Sequence, residues 1–421
     1  MDIVTLKSIY ETQGLRNHNL ELRNVFFAFL TLFFLVNDGS LMAQTTPEPN
    51  SGVKGKVDFS WDKVPRFLYI TGSRKFSSEE LDHIAENYTW ITLAINFAWK
   101  DSDSYEDAIK LASAELKQRN PNIKILYYWN ASRVIKYYEA NDDFDPAWDL
   151  NTGRLGLNKN GKPIKLVNQS LPALNIAIPE ARQWWISNAI KALDIPGVDG
   201  LWIDATARIY NKGPQQKLQS AGLWIYTEAA LYEMYDEIYK SAQEKDKLLI
   251  GNFLREHDEF PNDKLWKYFD GSFVENHYAH VGEEISPEKY LNNILGVMSN
   301  VRDAVGRGKI VGINLGSQSE DPAYDPDIYS FDERQVTLKK HFEYHLVLYL
   351  ILADQNVYFQ YTDGFNRDNA VWQTDFSEYQ HKLGAPVGAL LRSGYLFQRN
   401  FEHASVRINV QSREAVINWF D

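Results

Sequence analysis

The chain is 421 residues long, with 44% hydrophobic and 24% charged residues, enough for one large domain with additions or two ordinary ones. Its net charge of −12 and pI near 5.3 argue against nucleic acid as a partner, and the lack of cysteine excludes disulfides, thiolate catalysis and Cys-ligated zinc. Aromatic residues reach 14%, a supply that serves large cores and sugar-stacking surfaces alike.

The first feature in chain order is the apolar run from Val25 to Val36. It is short for a membrane span, is preceded by Lys7, Arg16 and Arg23, and is followed by Leu41-Met-Ala43, a small-residue cleavage site. Residues 1–43 therefore read as a signal peptide and predict a secreted or periplasmic protein with no membrane span in its mature form. A polar, Pro- and Gly-containing linker is expected over residues 44–64.

Short apolar runs then alternate with helical patterns. Arg66-Phe-Leu-Tyr-Ile-Thr-Gly72 predicts a first strand, and Ser77 with Glu80 a capping box opening the next helix. Further strands are expected at Trp90–Phe97, Ile123–Trp129, Gly200–Asp204, Lys247–Phe253, Gly271–Glu275, Lys309–Asn314 and Asn356–Tyr361. A long excursion separates the third strand from Pro179, which opens a helix at its first position. Eight continuous apolar strands, each followed by a helical stretch, predict a (β/α)8 TIM barrel over 65–391. The rival doubly wound sheet needs a Gly-rich phosphate loop after its first strand, and Thr71-Gly-Ser-Arg74 is not one. Residues 392–421 predict a small β segment with strands at Ser405–Val410 and Glu414–Trp419.

A barrel of this kind carries its site at the C-terminal strand ends. Strand four ends in Asp204 and strand six in Glu275, each four residues beyond an Asp-Gly turn. An acid closing an apolar strand is costly unless it is a ligand, a catalyst or a paired structural group. Two such acids, two strands apart, suit glycoside hydrolysis, in which one carboxyl attacks or activates water and the other protonates the leaving oxygen. Glu256, just past strand five, competes with Glu275 for the acid role, and Asp363, after strand eight, is a weaker candidate for binding. Substrate contacts are expected from Tyr128, Trp129 and Asn130, from Asn252, from Asn276, His277 and Tyr278, and from Asn314. Trp129 reads equally as a stacking platform or as a packed rim aromatic. Arg74, Lys75, Lys100, Arg133, Arg208 and Arg255 gather at the same end, where six cations would suit an anionic polymer although each taken singly reads first as a solvated loop charge. No His-Glu-x-x-His or Gly-x-Ser-x-Gly motif is present, and His277 with His280 reads as structural or substrate-contacting before metal-binding, so neither metal nor cofactor is expected.

Pro121-Asn-Ile-Lys-Ile-Leu-Tyr-Tyr-Trp-Asn130, Pro179-Glu-Ala-Arg-Gln-Trp-Trp185, Gly197-Val-Asp-Gly-Leu-Trp-Ile-Asp204 and Phe397–Asn409 resemble secreted bacterial (β/α)8 glycoside hydrolases over residues 61 to 420. Within that group the chain looks most like the endo-fucanases that cut sulfated fucans of brown algae. The resemblance implies Asp204 as nucleophile and Glu275 as acid/base with Glu256 in reserve; Arg208, four residues after Asp204, is the cation expected to contact a sulfate by its position. Where that group often has a Tyr-Asp-Leu-Thr-like stretch, this chain has Ala173-Leu-Asn-Ile-Ala177, which puts one substrate contact in doubt. The expectation is a retaining endo-glycosidase acting on a sulfated polysaccharide. The alternatives are a hydrolase of another glycan and a carbohydrate-binding barrel without turnover.

Overall fold

The structure is a computed structural model that describes residues 56–135, 137–143, 160, 173–207, 227–255, 262–275, 285–316 and 327–420. Eight parallel strands run in sequence order around a barrel: β1 (Phe67–Ile70), β2 (Trp90–Leu93), β3 (Lys124–Asn130), β4 (Gly200–Asp204), β5 (Leu248–Leu254), β6 (Gly271–Val274), β7 (Ile310–Leu315) and β8 (Val357–Tyr361). The barrel closes from β8 to β1 through the Arg66–Phe359 bridge. There the Gln360 amide stands in for a peptide: its Oε1 accepts from Tyr69 N at 2.7 Å and its Nε2 donates to Tyr69 O at 3.1 Å.

The helices α1 (Ser78–Asn87), α2 (Tyr105–Arg119), α3 (Pro179–Leu193), α4 (Glu228–Glu244), the short α5 (Asn262–Leu265), α6 (Pro287–Gly306) and α7 (Phe331–Leu352) lie between successive strands. Their starts follow local chemistry. Ser77 and Glu80 form the expected capping box of α1, Pro179 is the first residue of α3, and Ser330 with Glu333 caps α7 the same way. Apart from Lys124 and Asp204, which are partly exposed, the residues of the eight barrel strands are buried, so both faces read as apolar in sequence. Inside the barrel Phe67 occupies the space a side chain at position 312 would need, since a Cβ on Gly312 would lie 2.9 Å from its ring.

Two expectations shift. β2 ends at Leu93, well before Phe97, because the backbone turns at Asn96 and Ala98, which both adopt positive φ. The C-terminal segment holds four antiparallel strands where two were expected: β9 (Pro386–Ser393), β10 (Leu396–Phe401), β11 (Ala404–Asn409) and β12 (Glu414–Trp419). β10, β11 and β12 all pack on α7. Arg399 of β10, buried, donates to Leu350 O and Ala353 O at the end of that helix. Residues 1–43, expected to be a signal peptide, and residues 44–55 of the expected linker lie outside the described residues. The rest of that segment is packed: Phe59 stacks edge-on to Tyr358, and Trp61 O accepts from Gly384 N at 2.8 Å. No helix of the described residues is long and apolar enough to cross a membrane.

The long excursion after β3 starts from a fixed base. Glu106, buried on the first turn of α2, accepts from Tyr127 Oη at 2.8 Å, Glu139 N at 2.9 Å and Ala140 N at 3.0 Å. Burial pushes its carboxyl above the ordinary glutamate range, while these three donors pull the other way.

Candidate active site

Side chains alternate along a strand, so every second residue points into the barrel. β3 and β4 are paired with Asn130 opposite Asp204, Tyr128 opposite Trp202 and Trp129 opposite Ile203. The first two pairs face inward. At the C-terminal end this register brings together Asn130, Asp204, Asn252 and Glu275, as their mutual hydrogen bonds show, above a floor of Tyr128, Trp202, Tyr69 and Phe273 rings.

Asp204 is held from all sides. Its Oδ2 accepts from Tyr128 Oη at 2.7 Å and from Asn130 Nδ2 at 3.4 Å. Its Oδ1 accepts from Ala205 N at 2.7 Å and from Asn252 Nδ2 at 3.1 Å. Ala205 has φ of 58°, a left-handed turn that costs a non-glycine residue roughly 1–2 kcal/mol. Thr206 stabilises that turn, donating from Oγ1 to Ile203 O at 2.6 Å and accepting from Asn252 N at 3.1 Å. Sequence reasoning did not single out Thr206, although it stands two residues after the key acid.

The second carboxyl arrives through the same amide. Asn252 Nδ2 also donates to Glu275 Oε2 at 2.7 Å, so one nitrogen touches both acids. Asn252 is oriented from behind by Arg255, whose NH1 donates to Asn252 Oδ1 at 2.9 Å and whose NH2 lies 3.6 Å from Glu275 Oε2. With its oxygen engaged by the guanidinium, the amide must present its N–H groups to the carboxylates. Both acids keep some exposure, and the Arg255–Glu275 pair is about one-quarter to one-third exposed, not a buried structural bridge.

The floor is aromatic and buried. Tyr128 stacks on Trp202 at 5.6 Å, and Tyr69 packs at 4.5 Å from Trp202 and 4.9 Å from Phe365, a partly exposed residue of the loop after β8. Burial, and next to it the charge of Asp204, pushes the Tyr128 hydroxyl well above the usual tyrosine range, so it stays a proton donor. Tyr69 is raised too, by burial first, then by Tyr128 and by both Asp204 and Glu275. Its hydroxyl thus feels both carboxylates. The parity of β1 carries the signal for Tyr69; nothing local in the sequence points to Phe365.

Of the predicted contacts, Tyr128, Asn130 and Asn252 converge on the acids. Asn314 sits one strand beyond Glu275, buried, with no partner for its Oδ1 among the described residues. Trp129 must be corrected: it points outward, 2% exposed, against Tyr138 at 5.8 Å and Trp185 at 6.1 Å, and a ring without an open face cannot stack on a sugar. Asp363 is structural, buried in an ion pair with Arg334 and accepting from Val371 N at 2.6 Å. Among the cations, Arg255 belongs to the carboxylate network, Arg74 pairs with Asp101 at 3.5 Å, and the charge of Arg133 acts on Tyr128. Arg208, Glu256, Asn276, His277, Tyr278 and His280 lie outside the described residues.

A family model described as hypothetical glycosyl hydrolase family 15 matches residues 117–405, which include β3 through β8 and both acids. The chain belongs to that family. As a member of it, on a TIM barrel, the protein is a glycoside hydrolase with a glycan as its substrate. No curated protein matches the chain. Among solved structures, the chain is 14% identical to Aspergillus fumigatus Ega3 in complex with galactosamine, over 61% of this chain and 78% of that one, with a TM-score of 0.37. It is 14% identical to the alpha-amylase of Geobacillus thermoleovorans complexed with acarbose, over 84% and 88% of the two chains, with a TM-score of 0.46. The maltogenic alpha-amylase AmyB of Thermotoga neapolitana is 11% identical over 85% and 94%, also at 0.46. Likeness at this level does not bear on which glycan this family member takes.

Proposed function

We propose that the protein is a retaining endo-glycosidase that cleaves a sulfated polysaccharide of the fucan type. The observation that carries the retaining assignment is the single Asn252 nitrogen lying 3.1 Å from Asp204 Oδ1 and 2.7 Å from Glu275 Oε2. Those two contacts hold the two oxygens within roughly 6 Å of each other, which fits the spacing of about 5–5.5 Å in retaining enzymes and leaves little room for the water an inverting enzyme needs.

In this reading Asp204 attacks the anomeric carbon and forms a glycosyl ester, while Glu275 gives its proton to the leaving oxygen. Glu275 then takes a proton from water, which displaces Asp204 and restores both groups. Four donors fix the Asp204 side chain in position to attack, and Ala205 N supplies one that needs no side chain. Asn252 has two N–H groups, so it serves Asp204 before attack and Glu275 after proton transfer. The sulfated substrate rests on the resemblance to endo-fucanases and on the cations expected at the strand ends, of which Arg133 acts on Tyr128 beneath Asp204.

The test is reducing-end release from a panel of polysaccharides, sulfated fucan and its desulfated form included, with Asp204→Asn and Glu275→Gln alongside. Both variants should fold and lose most activity, and Glu275→Gln should form a glycosyl azide from an activated substrate, whose leaving group needs no proton, when azide is supplied. Retained activity in Glu275→Gln with none in Glu256→Gln moves the acid role to Glu256. Equal cleavage of sulfated and desulfated polymer removes sulfate recognition.

A further inference from the structure

The loop that follows β2 treats its two aromatic residues in opposite ways. Phe97 is fully buried against Phe76 at 4.8 Å. Trp99, two residues on, is 54% exposed, on the rim two strands from Asp204. Exposing an indole forgoes apolar burial.

The exposure is built into a fixed loop. Ala98 N donates to Gly72 O at 2.7 Å, Lys100 N to Ser73 O at 2.8 Å, and Thr71 Oγ1 to Ile95 O at 2.6 Å. Thr71 N donates in turn to Phe365 O at 2.7 Å, so this loop is continuous with the one carrying Phe365 over the floor of the site. Asn96 and Ala98 have φ of 62° and 55°, and Ala98 has no polar side chain to offset that conformation. Strain held in place by a hydrogen-bonded frame, and turning a large aromatic outward, is the pattern of a ligand-contacting loop.

The charges around Trp99 give the class of ligand. Lys100 Nζ stands 5.2 Å from the indole centroid, and Lys100, Lys75 and Arg74 are all exposed. Two acids stand among them: Asp101, paired with Arg74 at 3.5 Å and accepting from Lys75 N at 3.0 Å, and Asp368, accepting from Ser73 N at 2.7 Å. Three exposed cations, Arg74, Lys75 and Lys100, thus stand at an exposed indole on a chain of net charge −12.

We propose that Trp99, with Lys100 and Arg74, forms an outlying subsite that binds an anionic sugar residue of the polysaccharide, away from the bond being cut. The indole takes the C–H face of the ring and the cations take its sulfate or carboxylate. This rests on the hydrolase reading above and extends it to a second contact point, as a chain-internal cleavage requires.

The experiment compares the parent with Trp99→Ala, Trp99→Phe and Lys100→Gln on sulfated fucan, desulfated fucan, a uronic-acid polymer and starch. KM and kcat are measured, and affinity electrophoresis of each variant in an Asp204→Asn background reads binding without turnover. On the anionic polymer that the parent cleaves, Trp99→Ala should raise KM about tenfold with kcat within about twofold and an unchanged melting temperature. Trp99→Phe should recover most of that loss. Lys100→Gln should weaken binding at about 0.05 M salt and little at about 0.5 M. Unchanged KM and binding in Trp99→Ala, with an anionic polymer still cleaved by the parent, overturns the subsite and leaves the hydrolase reading intact. A fall in kcat instead of a rise in KM overturns it too, because Trp99 then acts at the reacting centre. Cleavage of starch alone overturns the anionic ligand, and a parent that binds and cleaves nothing overturns both readings.

Discussion

Replacing Tyr128 by Phe removes one oxygen from the site and little else. The ring keeps its stacking on Trp202 at 5.6 Å, so the melting temperature should move by no more than a few degrees. What is lost is the 2.7 Å hydrogen bond to Asp204 Oδ2. A hydrogen bond to a charged acceptor contributes about 1.5–3 kcal/mol, which corresponds to roughly 10- to 150-fold in rate if the bond holds Asp204 for attack. The structure lowers that expectation. Asn130 Nδ2 lies 3.1 Å from the Tyr128 hydroxyl and 3.4 Å from the same carboxylate oxygen, so without the hydroxyl it can close on Asp204. We expect kcat to fall about tenfold for Tyr128→Phe, with KM nearly unchanged. Tyr128→Phe combined with Asn130→Ala should fall by more than the product of the two single effects, because each covers for the other. The assay is reducing-end release from the cleaved polysaccharide, with thermal unfolding as the control. A single variant within about twofold of the parent, or single effects that simply multiply, would refute the shared support of Asp204.

Arg255→Met should lower kcat more than it raises KM, since it frees the Asn252 amide to rotate; Arg255→Lys should recover little, because a lysine cannot reproduce the fork that meets Asn252 and Glu275 together. A change confined to KM would make Arg255 a substrate contact instead. Glu106 supplies a pH test. Its carboxyl is raised in the fold, so the parent is favoured below the ordinary glutamate range and loses that advantage as pH rises through the raised value. Measured against Glu106→Gln, which does not titrate there, the parent's melting temperature should therefore drop relative to the variant as pH rises above the ordinary glutamate range. A gap independent of pH would show that Glu106 titrates normally.

The barrel strands were legible because they are buried on both faces, and Asp204 and Glu275 stood out as acids closing such runs. Parity was legible too: Asn130 and Tyr128 share a face with each other and not with Trp129, yet Trp129 drew attention by residue type. Tyr69 could have been found by the same count from β1. Phe365 and Trp99 could not, since their placement depends on hydrogen bonds between loops that follow β8, β1 and β2. The end of β2 was misplaced because Trp90–Phe97 is apolar throughout, and only the backbone angles of Asn96 and Ala98 reveal the turn. Asp363 resembled a site acid in sequence, but its partner Arg334 is 29 residues away and unseen by any local pattern.

Arg399 has a consequence for anyone who would build chimeras from this protein. Its guanidinium closes off carbonyls at the end of α7, the helix that delivers the chain into β8, the strand on which barrel closure depends. The four C-terminal strands are therefore a plug fitted to one particular helix end and do not form a detachable module. Grafting a foreign tail after Leu383 would take Arg399 from that helix end and bare the α7 surface on which β10, β11 and β12 pack. A workable exchange would have to carry α7 and the tail together, as one cassette.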